Sequence, residues 1–139
     1  MEYAKYGKRI VLKLGPGEEV VSSVIEVCEK EKISLASVSG IGAAKRLKAG
    51  YFDVKEKTYF VKDYAGNLEI VSLLGSITHK GGKPYAHLHV AFALESGALC
   101  GGHLSEAVIG GAGEIFIDCA RGSIARVYDE TIGLNVMEF

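Results

Sequence analysis

Only one segment of this 139-residue chain carries a helical period. Over residues 18–31, Val20, Val21, Val24, Val27 and Cys28 recur at the spacing of one helix face, and Glu18 and Glu19 suit a helix N-terminus. Every other apolar segment is short and alternating, or short and continuous. Strands are expected at 9–14, closed by the turn Gly15-Pro-Gly17, and at 33–39, closed by a tight turn at Ser39-Gly-Ile-Gly-Ala43. A hairpin is expected from 47–53 and 57–62, then a long strand at 67–78 opened by Ala65-Gly-Asn67. Its run Ile70-Val-Ser-Leu-Leu74 predicts burial on both faces. Further strands are expected at 85–94, 98–103 and 114–119, and the last segment, 123–139, ends in Leu134-Asn-Val-Met-Glu-Phe139, which alternates as a strand would. Many short strands with one principal helix make the fold α+β, with a mainly antiparallel sheet. No repeat, low-complexity tract or linker divides the chain, so residues 1–139 read as a single domain.

Glycine provides the punctuation. Among the 18 glycines, joints recur at 40–42, 81–82, 101–102 and 110–113. Ile109-Gly-Gly-Ala-Gly-Glu114 is not G-x-G-x-x-G and precedes a strand, so it reads as a turn and not as a phosphate loop. No Gly-x-Ser-x-Gly elbow and no His-Glu-x-x-His occurs.

The chemistry lies in the histidines. His87 and His89 stand in Tyr85-Ala-His-Leu-His-Val-Ala-Phe-Ala-Leu94, and His103 in Gly101-Gly-His-Leu-Ser-Glu106. Residues two apart on a strand share a face, so His87 and His89 project side by side. Leu88, Val90, Phe92 and Leu94 form the opposite face, under which the core must lie. A three-residue loop with Gly97 in the left-handed position would pair Leu94 with Ala98 and put His103 opposite His89. A two- or four-residue loop would put His103 on the wrong face unless Gly101-Gly102 forms a bulge. In the first register, three imidazoles make the ligand number that leaves zinc an open coordination position. Nickel, copper and iron suit imidazole as well. His79 and Cys100 are further candidate ligands, although His79 lies in a turn-like setting and Cys100 has the wrong parity from His103. Glu106 is the nearest candidate for a catalytic acid or base, or for orienting His103; an exposed residue after a strand is its plain structural reading.

Composition narrows the function classes. The formal net charge is −1 and the basic clusters at 5–9 and 45–48 are short, so little non-specific nucleic-acid affinity is expected. The helical segment carries five glutamates against Lys30, a face that phosphates would repel. No apolar run reaches the length of a membrane span and the N-terminus lacks a signal-peptide core. Cys28, Cys100 and Cys119 are dispersed, with Cys28 on the apolar helix face, which points to a reducing cytoplasm.

These motifs resemble the plant and prokaryote conserved (PPC) domain family. The matching residues are Ser39-Gly-Ile-Gly-Ala43, Leu68-Glu-Ile-Val-Ser-Leu-Leu-Gly-Ser76, His87-Leu-His89 with Gly101-Gly-His-Leu104, and Asp129-Glu-Thr-Ile-Gly-Leu134. The family often shows Glu-Thr-Gly in the tail, whereas Ile132 intervenes here. The resemblance covers nearly the whole chain. It implies an α+β fold, a homotrimer, and a metal at His87, His89 and His103. The plant relatives are nuclear proteins in which AT-hooks contact DNA and the domain mediates self-association. No AT-hook is present here, since Arg121-Gly122 is followed by Ser123. Two readings follow: a zinc-binding homotrimer, and a non-catalytic interaction module without its own DNA-binding motif. The amount of apolar strand, more than one helix can cover, independently suggests that sheet surface is buried between subunits.

Overall fold

The computed structural model describes all 139 residues. In chain order the elements are β1 (Glu2–Tyr6), β2 (Arg9–Leu14), α1 (Val20–Lys30), β3 (Ala36–Asp53), β4 (Thr58–Lys80), β5 (Lys83–Ala93), β6 (Leu99–Cys119), β7 (Ala125–Asp129) and β8 (Leu134–Glu138). The α+β class, the single domain and the mainly antiparallel sheet expected from the sequence are all observed.

All eight strands belong to one sheet, ordered β1-β2-β6-β3-β4-β7-β8, with β5 paired to both β4 and β6. Since β3 also pairs with both β4 and β6, those four strands close a ring. The sheet therefore curls around its own apolar face. Leu88, Val90 and Phe92 of β5 meet Leu47, Leu73, Ile77, Ile115 and Ile117 there, with Val24, Val27 and Cys28 of α1 in the same core. Apart from one parallel bridge between β4 and β7, every pairing is antiparallel.

The helix starts where the sequence places it. Glu19 is the N-cap, and its carboxylate accepts bonds from Val21 N (2.9 Å) and Ser22 N (2.7 Å). It also accepts from Ala107 N of β6 at 3.0 Å, so one side chain both caps α1 and ties it to the sheet.

Three expected breaks are not breaks. The segment 39–43 runs inside β3, 65–67 inside β4 and 109–114 inside β6. Register shifts fall at Gly40/Gly42, Gly42/Ala44 and Ala44/Arg46, so these glycines mark bulges where β3 crosses its neighbours. The reason is steric. A Cβ on Gly42 would lie 2.6 Å from the Ala112 carbonyl oxygen, and one on Gly40 would lie 2.8 Å from that of Glu114. Glycine here permits close strand approach and does not reverse the chain. The first strand, β1, had no expectation in the sequence; at the tail the strand expected over 134–139 is β8, and its hairpin partner β7 had no expectation.

Candidate metal centre

Strand β5 alternates as expected, with Leu88, Val90 and Phe92 in the core and His87 and His89 on the other face. The loop at 95–97 has the three-residue form: Leu94 N bonds Ala98 O at 2.9 Å, and Gly97 is left-handed at φ 82°. The register that follows puts His103 opposite His89. Gly101 and Gly102 let the strands close at this point. A Cβ on Gly102 would fall 2.2 Å from the Gly50 carbonyl oxygen of β3, and one on Gly101 would fall 2.5 Å from that of Val90.

The three imidazoles converge. One nitrogen from each of His87, His89 and His103 lies within 4.8 Å of the others. Ring centroids are 5.0 Å apart for His87–His89, 5.3 Å for His87–His103 and 5.6 Å for His89–His103. His87 and His103 are half-buried and His89 is exposed, so the cluster opens to solvent on one side. Burial, reinforced by the charges of His87 and His89, pulls the His103 pKa down to about 4. Burial also lowers that of His87, assisted by the Arg126 guanidinium and His89. Neutral imidazole is the metal-binding form. The buried Nδ1 of His103 has no hydrogen-bond partner in the protein. An unpartnered buried nitrogen in a cluster of three imidazoles, two of which burial holds toward the neutral form, fits a divalent transition metal.

The other candidates fall outside this cluster. Cys100 pairs with Phe92 and packs on the core face. His79 is the penultimate residue of β4, where a solvated turn was expected, and pairs with Pro84. Glu106 shares no hydrogen bond with His103. Its carboxylate accepts from Arg46 Nε at 2.9 Å and also from Arg46 Nη2, with Lys48 Nζ 3.4 Å away. Burial raises the Glu106 pKa, but the Arg46 bond and charge, followed by Lys48, leave it below the usual carboxylate value. It stays ionised and committed to those two cations.

Sequence reasoning missed two neighbours of the cluster. The Tyr59 ring lies 4.8 Å from His103, brought there by the β3–β4 hairpin, and burial raises its pKa so that the phenol stays protonated. Arg126, on β7, is nine-tenths buried and lines a cavity together with His87. Neither lies near the histidines in sequence, and neither belongs to a motif.

Residues 1–119 match the family described as the Plants and Prokaryotes Conserved (PCC) domain. The chain belongs to this family. No curated protein matches it. Among solved structures it is similar to a protein of Bacteroides thetaiotaomicron named as a DNA-binding candidate, at 30% identity and TM-score 0.96, covering 99% of this chain and 96% of that one. It is similar to a metal-containing protein of Archaeoglobus fulgidus at 32% identity and TM-score 0.88, over 99% and 97% of the two chains. A plant- and prokaryote-conserved protein of Pyrococcus horikoshii gives 32% identity and TM-score 0.87, over 99% and 95%.

Proposed function

We propose that this protein binds a divalent transition metal, zinc foremost, through His87, His89 and His103, and works as a homotrimer in the cytoplasm. The convergence of three imidazoles on one point carries the metal assignment, and burial favours the neutral, ligating form of His87 and His103. The Archaeoglobus relative, similar over almost its whole length, is itself a metal-containing protein. An ion held by three side chains supplies a Lewis acid with room for a further ligand. The exposed edge at His89 would give that ligand a way in, and Tyr59, whose phenol burial keeps protonated, stands beside His103 as the nearest neutral donor. Elemental analysis of the purified protein tests the assignment: one zinc per chain is expected, and none after His89→Ala.

Support for self-association comes from exposed apolar residues on the sheet. Ile41, Val71 and Leu74 are each about half exposed, and Leu74 pairs with His89, so this surface adjoins the metal cluster. The same surface favours the second reading, a non-catalytic interaction module. The two differ at the metal: an exchangeable ligand on the ion supports chemistry, and a closed, inert site supports the module. Direct DNA binding is not part of either proposal. The net charge is −1, and Glu26 and Glu29 are exposed on the only helix. Free cysteines support a reducing compartment, and no helix is long and apolar enough to cross a membrane.

A further inference from the structure

Arg126 is a buried cation without a counter-ion. Only 8% of it is exposed. Its Nε donates to Thr78 Oγ1 at 2.9 Å and its Nη1 donates to the Asn135 carbonyl at 2.8 Å. Its guanidinium carbon lies 4.9 Å from the Tyr85 ring centroid. These contacts fix the group but leave its charge unmatched. Arg126 takes part in none of the protein's ion pairs, and Nη2 has no protein acceptor. Arginine does not shed its proton in a protein, and an unpaired buried charge is strongly unfavourable.

The charge faces a cavity of about 320 Å³, at the small end of ligand pockets. His87 and Tyr59 line it on the side of the metal cluster, and Leu134, Val136 and Met137 of β8 line it with apolar surface. The register explains the placement. Thr78 opposes Tyr85 and Ser76 opposes His87, so Thr78, Tyr85 and His87 share one sheet face. The bridge from His79 to Ala125 then swings β7–β8 over that face and seats Arg126 on Thr78.

We propose that this cavity binds a small organic monocarboxylate. Arg126 receives the carboxylate, the β8 side chains hold a short apolar body, and His87 brings the molecule to the edge of the metal cluster. A carboxylate fits better than a phosphate because the cavity offers one positive charge, which a monoanion matches and a dianion exceeds. The placement beside the metal rests on the metal reading above, whereas the Arg126 receptor does not.

Calorimetric titration of the full chain, zinc-loaded and metal-stripped, tests this. The probes are butanoate, its neutral isostere butanamide, and inorganic phosphate. Butanoate is expected to bind at least tenfold more tightly than either. Arg126→Gln should weaken it at least tenfold in both metal states while leaving zinc content unchanged, and Arg126→Lys should restore part of the loss. Because Arg126 is buried, Met137→Trp gives a second arm: it fills the cavity from the apolar side and should also cost tenfold with the fold intact by circular dichroism. Equal binding of butanamide, tighter binding of phosphate, or butanoate affinity within twofold of wild type in both Arg126→Gln and Met137→Trp overturns the proposal. So does an Arg126→Gln effect confined to oligomeric mass, which would mean that a carboxylate of a second copy fills the site. Arg126-dependent butanoate binding in a protein that takes up no zinc supports the receptor and removes the metal reading alone.

Discussion

His89 is the residue on which the metal assignment can be isolated. It is exposed, and its neighbours Leu88 and Val90 point into the core. Its replacement by alanine should leave the fold intact and lower zinc affinity by more than ~100-fold, beyond the loss typical of an outer partner. Competition with a chromophoric chelator measures this. Glu106→Gln should leave zinc uptake unchanged, because the Glu106 carboxylate belongs to Arg46 and Lys48. His103 also makes a pH prediction. Its folded pKa is depressed to about 4 from 6.5. Between those values the unfolded chain binds a proton that the folded chain refuses. Metal-free protein should therefore have this contribution in full above pH 6.5 and lose it as the pH falls toward 4. Urea midpoints at pH 7 and pH 5 read this loss, and His103→Ala should show a shallower dependence.

At the scale of elements, α1 and β5 carry the most testable couplings. Glu19 satisfies three backbone N–H groups, two of its own helix and one of β6. Glu19→Ala should cost about 1–2 kcal/mol by denaturant titration, as the loss of a good N-cap does. Glu19→Gln should recover part of it, since the amide oxygen can still accept. Phe92 of β5 is fully buried and meets the Tyr64 ring edge-on at a centroid distance of 4.8 Å. Phe92→Ala should cost about 3–5 kcal/mol. It should also loosen the strand that carries two of the three histidines, so zinc affinity and stability should fall together, unlike the separable effect at His89. Cys28 lies on the buried helix face, where burial pushes its thiol up to about 12. It should resist thiol reagents in the native protein and react only on unfolding.

The whole molecule raises the question of self-association. A mass near three times the 14.8 kDa of one chain is expected by light scattering, and a monomer would defeat the proposal. Charged substitution at Leu74 should lower that mass, given its exposure beside the histidine face. The relative named for DNA binding makes the opposite experiment worth doing. Only weak, salt-sensitive association with duplex DNA is expected near physiological salt. Submicromolar affinity that survives competitor DNA would favour a regulatory role over the proposed metal-binding one.

The class of fold and the histidine cluster were legible because both are local. Strand parity put His87 and His89 on one face, and a short loop with a left-handed Gly97 carried that parity to His103. The helix was legible from one periodic segment and two glutamates. What the sequence did not yield depended on crossings between distant segments. Glycines at 40–42 and 110–113 look like turns in one dimension; they lie inside long strands, and at Gly40 and Gly42 the backbone of β6 passes within 2.8 Å of where a Cβ would stand. Tyr59 and Arg126 reach the histidines through the β3–β4 hairpin and the parallel bridge to β7. No periodicity records such contacts. Sequence spacing sets which face a side chain takes, and only tertiary pairing sets which other faces it meets.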